Sequence, residues 1–108
     1  MKWYLAGPMS GIPDQNYPAF QAASESLRVA GYEIVSPHET YHHPTQPNED
    51  MYCQLLRHDV LSFMKDCDGI ILLPGWSQSR GAKLELHLAL SLDLPVRFYR
   101  VGFAEDIS

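Results

Sequence analysis

Two spacings of apolar residues alternate along the chain, one of the strand kind and one of the helix kind. KWYLAG, residues 2–7, is short, apolar and aromatic and ends at Gly7-Pro8, which predicts a buried strand. GPMSGIPDQNYP follows as a loop rich in chain breakers. Phe20, Ala23, Leu27 and Ala30 then recur at helical spacing. Asn16 stands where a cap is needed, Pro18 suits the first turn, and Gly31 supplies a stop. YEIVSP predicts a second strand, and residues 37–48, polar with prolines and histidines, predict a long loop. From Glu49 to Lys65 the spacing is helical again, with Tyr52, Leu56, Val60 and Phe63 on one face. GIILLP, a continuous apolar run, predicts a third strand buried on both sides, and VRFYRV predicts a fourth.

KLELHLALSLDL, residues 83–94, fits both spacings. Its leucines alternate strictly, as in a strand, yet it contains Leu, Ala, Glu and Lys and no β-branched residue. It is also long for a strand and lies between two better ones, so it is read as a helix. Leucines all round such a helix imply burial on several sides, including an oligomer interface. The order is then βαβαβαβ. This predicts a single α/β domain over residues 1–108, a three-layer, flavodoxin- or Rossmann-like sandwich on a parallel sheet of four or five strands in order 2-1-3-4. In such sheets ligands bind beyond the C-terminal strand ends where the winding reverses, here between the first and third strands. GPMSG and PGWSQSRG meet there, and Glu85 follows in the first turns of the next helix.

Composition removes several classes. A formal charge of −5 argues against a nucleic-acid polymer or an anionic membrane as partner, but not against a small anionic ligand in a locally positive pocket. No stretch reaches the roughly 18 apolar residues of a membrane span, and the start of the chain has no signal-peptide run. Cys53 and Cys67 lie in core-like segments, as reduced thiols of a cytoplasmic protein would. His38, His42, His43 and His58 match no zinc spacing, and neither a dinucleotide fingerprint nor a P-loop is present, so no metal and no cofactor is expected.

The remaining chemistry sits in the two loops. Gly7, Pro8, Met9, Ser10 and Gly11 form either an ordinary turn or a backbone cradle for phosphate. Trp76 opens the second loop, and Ser77, Ser79, Arg80 and Gly81 stand at a helix N-terminus, which favours an anion. Arg80 is equally readable as a solvated surface residue. Glu85 has leucines on both sides and no capping box, because position 82 is alanine; it is either a surface acid or a reacting one. Asp59 lies at the edge of an apolar helix face, and Tyr4 reads most simply as a core aromatic.

YLAGPMSGIPDQNYPAFQAASESLRVAGYEIVSP and RHDVLSFMKDCDGIILLPGWSQSRGAKLELHLALSLDLPV closely resemble small phage and bacterial proteins grouped as a domain of unknown function, within the nucleoside 2-deoxyribosyltransferase-like superfamily. That superfamily cleaves N-glycosidic bonds of nucleosides or nucleotides. The resemblance implies Glu85 as nucleophile in GAKLELHLA, Tyr4 as the residue that orients it, and Asp59 as a substrate contact. It also implies that GPMSG holds a 5′-phosphate. Ser79 stands where nucleoside-using members carry an acid, which favours a phosphorylated substrate. The expected partner is therefore a small nucleoside or nucleotide, bound by a homodimer or larger homo-oligomer. The expected reaction is hydrolysis or transfer through a glycosyl-enzyme; the rival classes are a nucleotide-binding module without turnover and a structural protein.

Overall fold

The computed structural model describes residues 1–9, 11–40, 48–100 and 103–106. Ser10, His42 and His43 lie outside the described residues. The strands are β1 (Lys2–Ala6), β2 (Glu33–Val35), β3 (Gly69–Leu72), β4 (Val96–Arg100) and β5 (Phe103–Asp106). The helices are α1 (Tyr17–Val29), α2 (Pro37–Thr40), α3 (Glu49–Asp66) and α4 (Arg80–Ser91). β2, β1, β3 and β4 form a parallel sheet in that order, with Tyr4 opposite Val35 on one side and Ile70 on the other. β5 adds an antiparallel edge strand against β4.

Side chains of a strand alternate between faces, and here the alternation separates two cores. Trp3, Leu5, Ile71 and Leu73 pack with Phe20, Ala23 and Leu27 of α1. Tyr4, Ala6, Ile70 and Leu72 pack with Phe63 of α3 and with Ala82 and Ala89 of α4. α1 ends as its glycine demands: the Gly31 N–H donates to Arg28 O over 3.0 Å and the Tyr32 N–H to Leu27 O over 2.9 Å, closing the helix C-terminus. α3 starts under Asn48, whose Oδ1 accepts from the Met51 N–H over 2.8 Å.

Two expectations change. Residues 37–40 are a short helix, not part of a loop, because Arg28 of α1 clamps Glu39 in a two-pronged ion pair at 2.9 and 2.6 Å and also donates to Ile34 O. Residues 80–91 are helical as expected, but the leucines are not its buried stripe. The helical period sends Ala82, Glu85 and Ala89 inward and leaves Leu84 and Leu90 exposed. The small alanines let α4 approach the sheet closely, and Glu85 is carried in between them. No helix among the described residues is long and apolar enough to cross a membrane.

Candidate functional site

A cavity of about 500 Å³ opens where β1 ends, a size that suits a small organic ligand. Its walls are residues 4–6 of β1, the following loop, one face of α3 and the start of α4. Gly7 lets the chain pass close to the residue after β3: a Cβ there would lie 2.9 Å from Leu73 Cβ. Pro8 in turn approaches the β3 loop, since a Cβ on Gly75 would meet Pro8 Cγ at 3.2 Å. The two loops expected to meet beyond the sheet are therefore in contact.

Asn16 does not cap α1. Its backbone has φ +60°, whereas a capping residue needs extended backbone, and its Nδ2 donates instead to Pro8 O over 2.9 Å. Asp14 and Gln15 share this left-handed conformation, at φ +55° and +52°. Such geometry costs about 1–2 kcal/mol per residue for side chains other than glycine. The run therefore stores strain next to the cavity, and the Asn16 amide secures the loop on which the strain bears.

α4 brings the acid. Ser79 Oγ accepts from the Ala82 N–H over 3.1 Å and fixes the first turn, one and a half turns before Glu85. That bond engages the oxygen as an acceptor and leaves the hydroxyl proton available. Gly81 allows α4 to start against α3, since a Cβ there would lie 3.2 Å from Leu56 Cδ1. Tyr4, Asp59 and Glu85 all line the cavity, as do Gly7, Pro8, Met9, Gly11, Ser79, Arg80 and Gly81. Trp76 and Ser77 are not brought to it. Trp76 turns under β4 and stacks on Phe98, with ring centroids 6.1 Å apart.

The electrostatics centre on Glu85, which is 5 % exposed. Loss of water pushes its carboxyl well above the usual carboxylate range, and the charge of Asp59 adds to the rise, while the Tyr4 hydroxyl opposes it. Tyr4, 1 % exposed and packed on Phe63, is raised well above the ordinary phenol value by burial first and then by the charges of Glu85 and Asp59. The Tyr4 hydroxyl is near enough to favour the Glu85 carboxylate, yet Tyr4 Oη and Glu85 Oε2 are both buried short of full hydrogen-bond geometry. Each such atom costs about 1–3 kcal/mol. Both atoms belong to residues that line the cavity, so their hydrogen-bonding capacity is turned toward it.

The rim carries groups that the sequence reading left out. Arg80 Nη1 lies 2.9 Å from Glu49 Oε1, and its guanidinium sits 5.1 Å from the Tyr52 ring centroid. Glu49, Tyr52, Leu56 and Asp59 recur at helical spacing along one face of α3, and all four line the cavity. That spacing was visible; Tyr52 and Leu56 were assigned to packing because apolar residues at helical intervals ordinarily face a core. Among the described residues, no group of three or more His, Cys, Asp or Glu could hold a metal ion. Both cysteines are free, and burial pushes the Cys67 thiol up to about 12, which leaves it unreactive. The arrangement can therefore offer one small molecule a buried carboxyl, a buried phenol, a second acid and a rim guanidinium.

The sequence matches the family described as domain of unknown function DUF4406 over residues 1–98, and the chain belongs to that family. The match ends within β4, so β1, β2, β3 and the whole cavity lie within the family's span. No curated protein matches the sequence.

Proposed function

We propose that the protein binds a (deoxy)nucleoside 5′-monophosphate and cleaves or transfers its N-glycosidic bond, with Glu85 as the nucleophile. The observation that carries this reading is a buried, unpartnered carboxyl beside an unpartnered phenol in a ligand-sized cavity at the C-terminal end of β1. In the reaction Glu85 bonds to the anomeric carbon as the carbon–nitrogen bond breaks and its electron pair leaves with the base. A proton from Asp59 or a water neutralises that base. Water then cleaves the glycosyl ester in a hydrolase, or a second base does so in a transferase. Tyr4 holds Glu85 in aim, and the backbone after β1, with Ser79 and Arg80, receives the phosphate.

Burial favours the neutral acid, whereas attack needs the carboxylate. Positive charge developing on the sugar in a water-poor site stabilises the anion and reverses that preference as the bond breaks. The pH profile follows in sign: turnover rises with pH through an apparent value well above the ordinary carboxylate range. A profile already flat from the normal Glu range upward would contradict it.

A second reading, nucleotide binding without turnover, draws support from the same upward shift of Glu85, because a protonated acid can donate a hydrogen bond to a ligand without attacking it. Incubation with a panel of nucleoside 5′-monophosphates, scored for free base, separates the two. Release by the native protein and not by Glu85→Gln supports the enzyme; ligand-induced thermal stabilisation without release supports the binder. We further propose a cytoplasmic homo-oligomer, to which exposed Leu61, Leu84 and Leu90 give an apolar surface. Light scattering that reports a monomer at working concentration would remove that part.

A further inference from the structure

We infer that Glu49 sets the anion selectivity of the cavity: its carboxylate holds the Arg80 guanidinium, so a phosphorylated ligand binds by displacing it. The inference rests on the reading of the cavity as a nucleotide site. Arg80 is the single Lys or Arg among the described residues that line the cavity, against three acids, Glu49, Asp59 and Glu85. The Glu49–Arg80 contact is 2.9 Å, and both side chains are largely exposed, at 73 % and 61 %. An exposed pair of this kind is weak and opens readily. It still matters for an incoming phosphate, because Glu49 both occupies the guanidinium and repels the second anion at short range.

The two partners come from different walls. Glu49 stands in the first turn of α3 and Arg80 in the first turn of α4, and Tyr52, one turn along α3, lies under the guanidinium. Rotation of the Glu49 side chain into solvent therefore frees Arg80 while the Tyr52 ring keeps it over the rim. The unpartnered Tyr4 and Glu85 atoms deeper in the same cavity mark it independently as a place where a ligand sits.

The test is calorimetric. For the native protein, Glu49→Gln and Glu49→Ala, the affinity of each common nucleoside is compared with that of its 5′-monophosphate. Both variants should raise the monophosphate-to-nucleoside ratio by about two- to fivefold for the base that binds. The rise should vanish when the same substitutions are made on Arg80→Ala, because the competition runs through that guanidinium. If the native protein prefers the monophosphate and neither variant changes the ratio, Glu49 is a bystander and the inference falls while the nucleotide reading stands. A lower ratio in both variants would show that Glu49 positions Arg80 for phosphate, which also overturns it. If neither the native protein nor any variant distinguishes monophosphate from nucleoside, the phosphate reading itself fails and takes the inference with it.

Discussion

The two faces of the sheet are built from the same strands and do different work. On the α1 face, Trp3, Leu5, Ile71 and Leu73 meet Phe20, Ala23 and Leu27, and the cluster is apolar. At the alternate positions of the same strands, Tyr4, Ala6, Ile70 and Leu72 meet α3 and α4, and this face contains a phenol, a buried acid and a cavity. The α1 face satisfies its groups on folding. The α4 face leaves Tyr4 Oη and Glu85 Oε2 buried and unpaired. A face that only had to pack would have leucine where Glu85 stands. The difference is one of polar satisfaction: both faces hold an apolar core, and the α4 face alone adds a buried acid and phenol beside a cavity.

Substitutions should separate the faces by sign. Phe20→Ala, at a side chain with no exposure on the α1 face, should lose about 3–5 kcal/mol of stability by urea unfolding. A loss below about 1 kcal/mol would mean that this face is not the dry core described. Glu85→Gln should instead gain about 1–3 kcal/mol at neutral pH. The sign follows from the raised pKa of Glu85: the folded state binds its proton more tightly than the unfolded chain does. The stabilising contribution is therefore present in full below the ordinary Glu value and is lost as pH rises toward the raised one. The advantage of Glu85→Gln should accordingly shrink as pH falls to about 4. A variant less stable than the native protein at pH 7 would break the comparison. The smallest effect belongs to Tyr4→Phe, which removes an unpaired hydroxyl and keeps the ring on Phe63; its stability should stay within about 1 kcal/mol of native or rise slightly. A loss of 2 kcal/mol or more, roughly that of a buried hydrogen bond to a charged group, would show that Tyr4 and Glu85 are bonded in the resting protein.

The two faces were unequally readable in the sequence. Element order and apolar runs pointed to the parallel sheet and its strand order, because both depend on local spacing and on general winding rules. GIILLP and the α1 stripe of Phe20, Ala23 and Leu27 needed nothing more. β5 was not foreseen as an antiparallel strand, since FAED offers neither alternation nor β-branched residues. In α4 the strict leucine alternation drew attention to the wrong side chains; the helical period puts Ala82, Glu85 and Ala89 inward. Winding rules alone put Glu85 beside the crevice, but its grouping with Tyr4 and Asp59 rested on a family resemblance, because contacts between β1, α3 and α4 span long stretches of chain. Arg80 was legible at its helix N-terminus, but its pairing with Glu49, 31 residues away, was not, and the Asn16 bond to Pro8 depends on a left-handed run that no local propensity announces.

The claim at the centre is that the acid on the α4 face reacts with a sugar. Acid quenching during turnover of the nucleoside monophosphate panel, followed by peptide mass spectrometry, tests it most directly. A phosphoglycosyl ester on Glu85, together with loss of free-base release in Glu85→Gln, is the predicted result. Free base released at the native rate by Glu85→Gln, with the Glu85 peptide of the native protein unmodified, would contradict it.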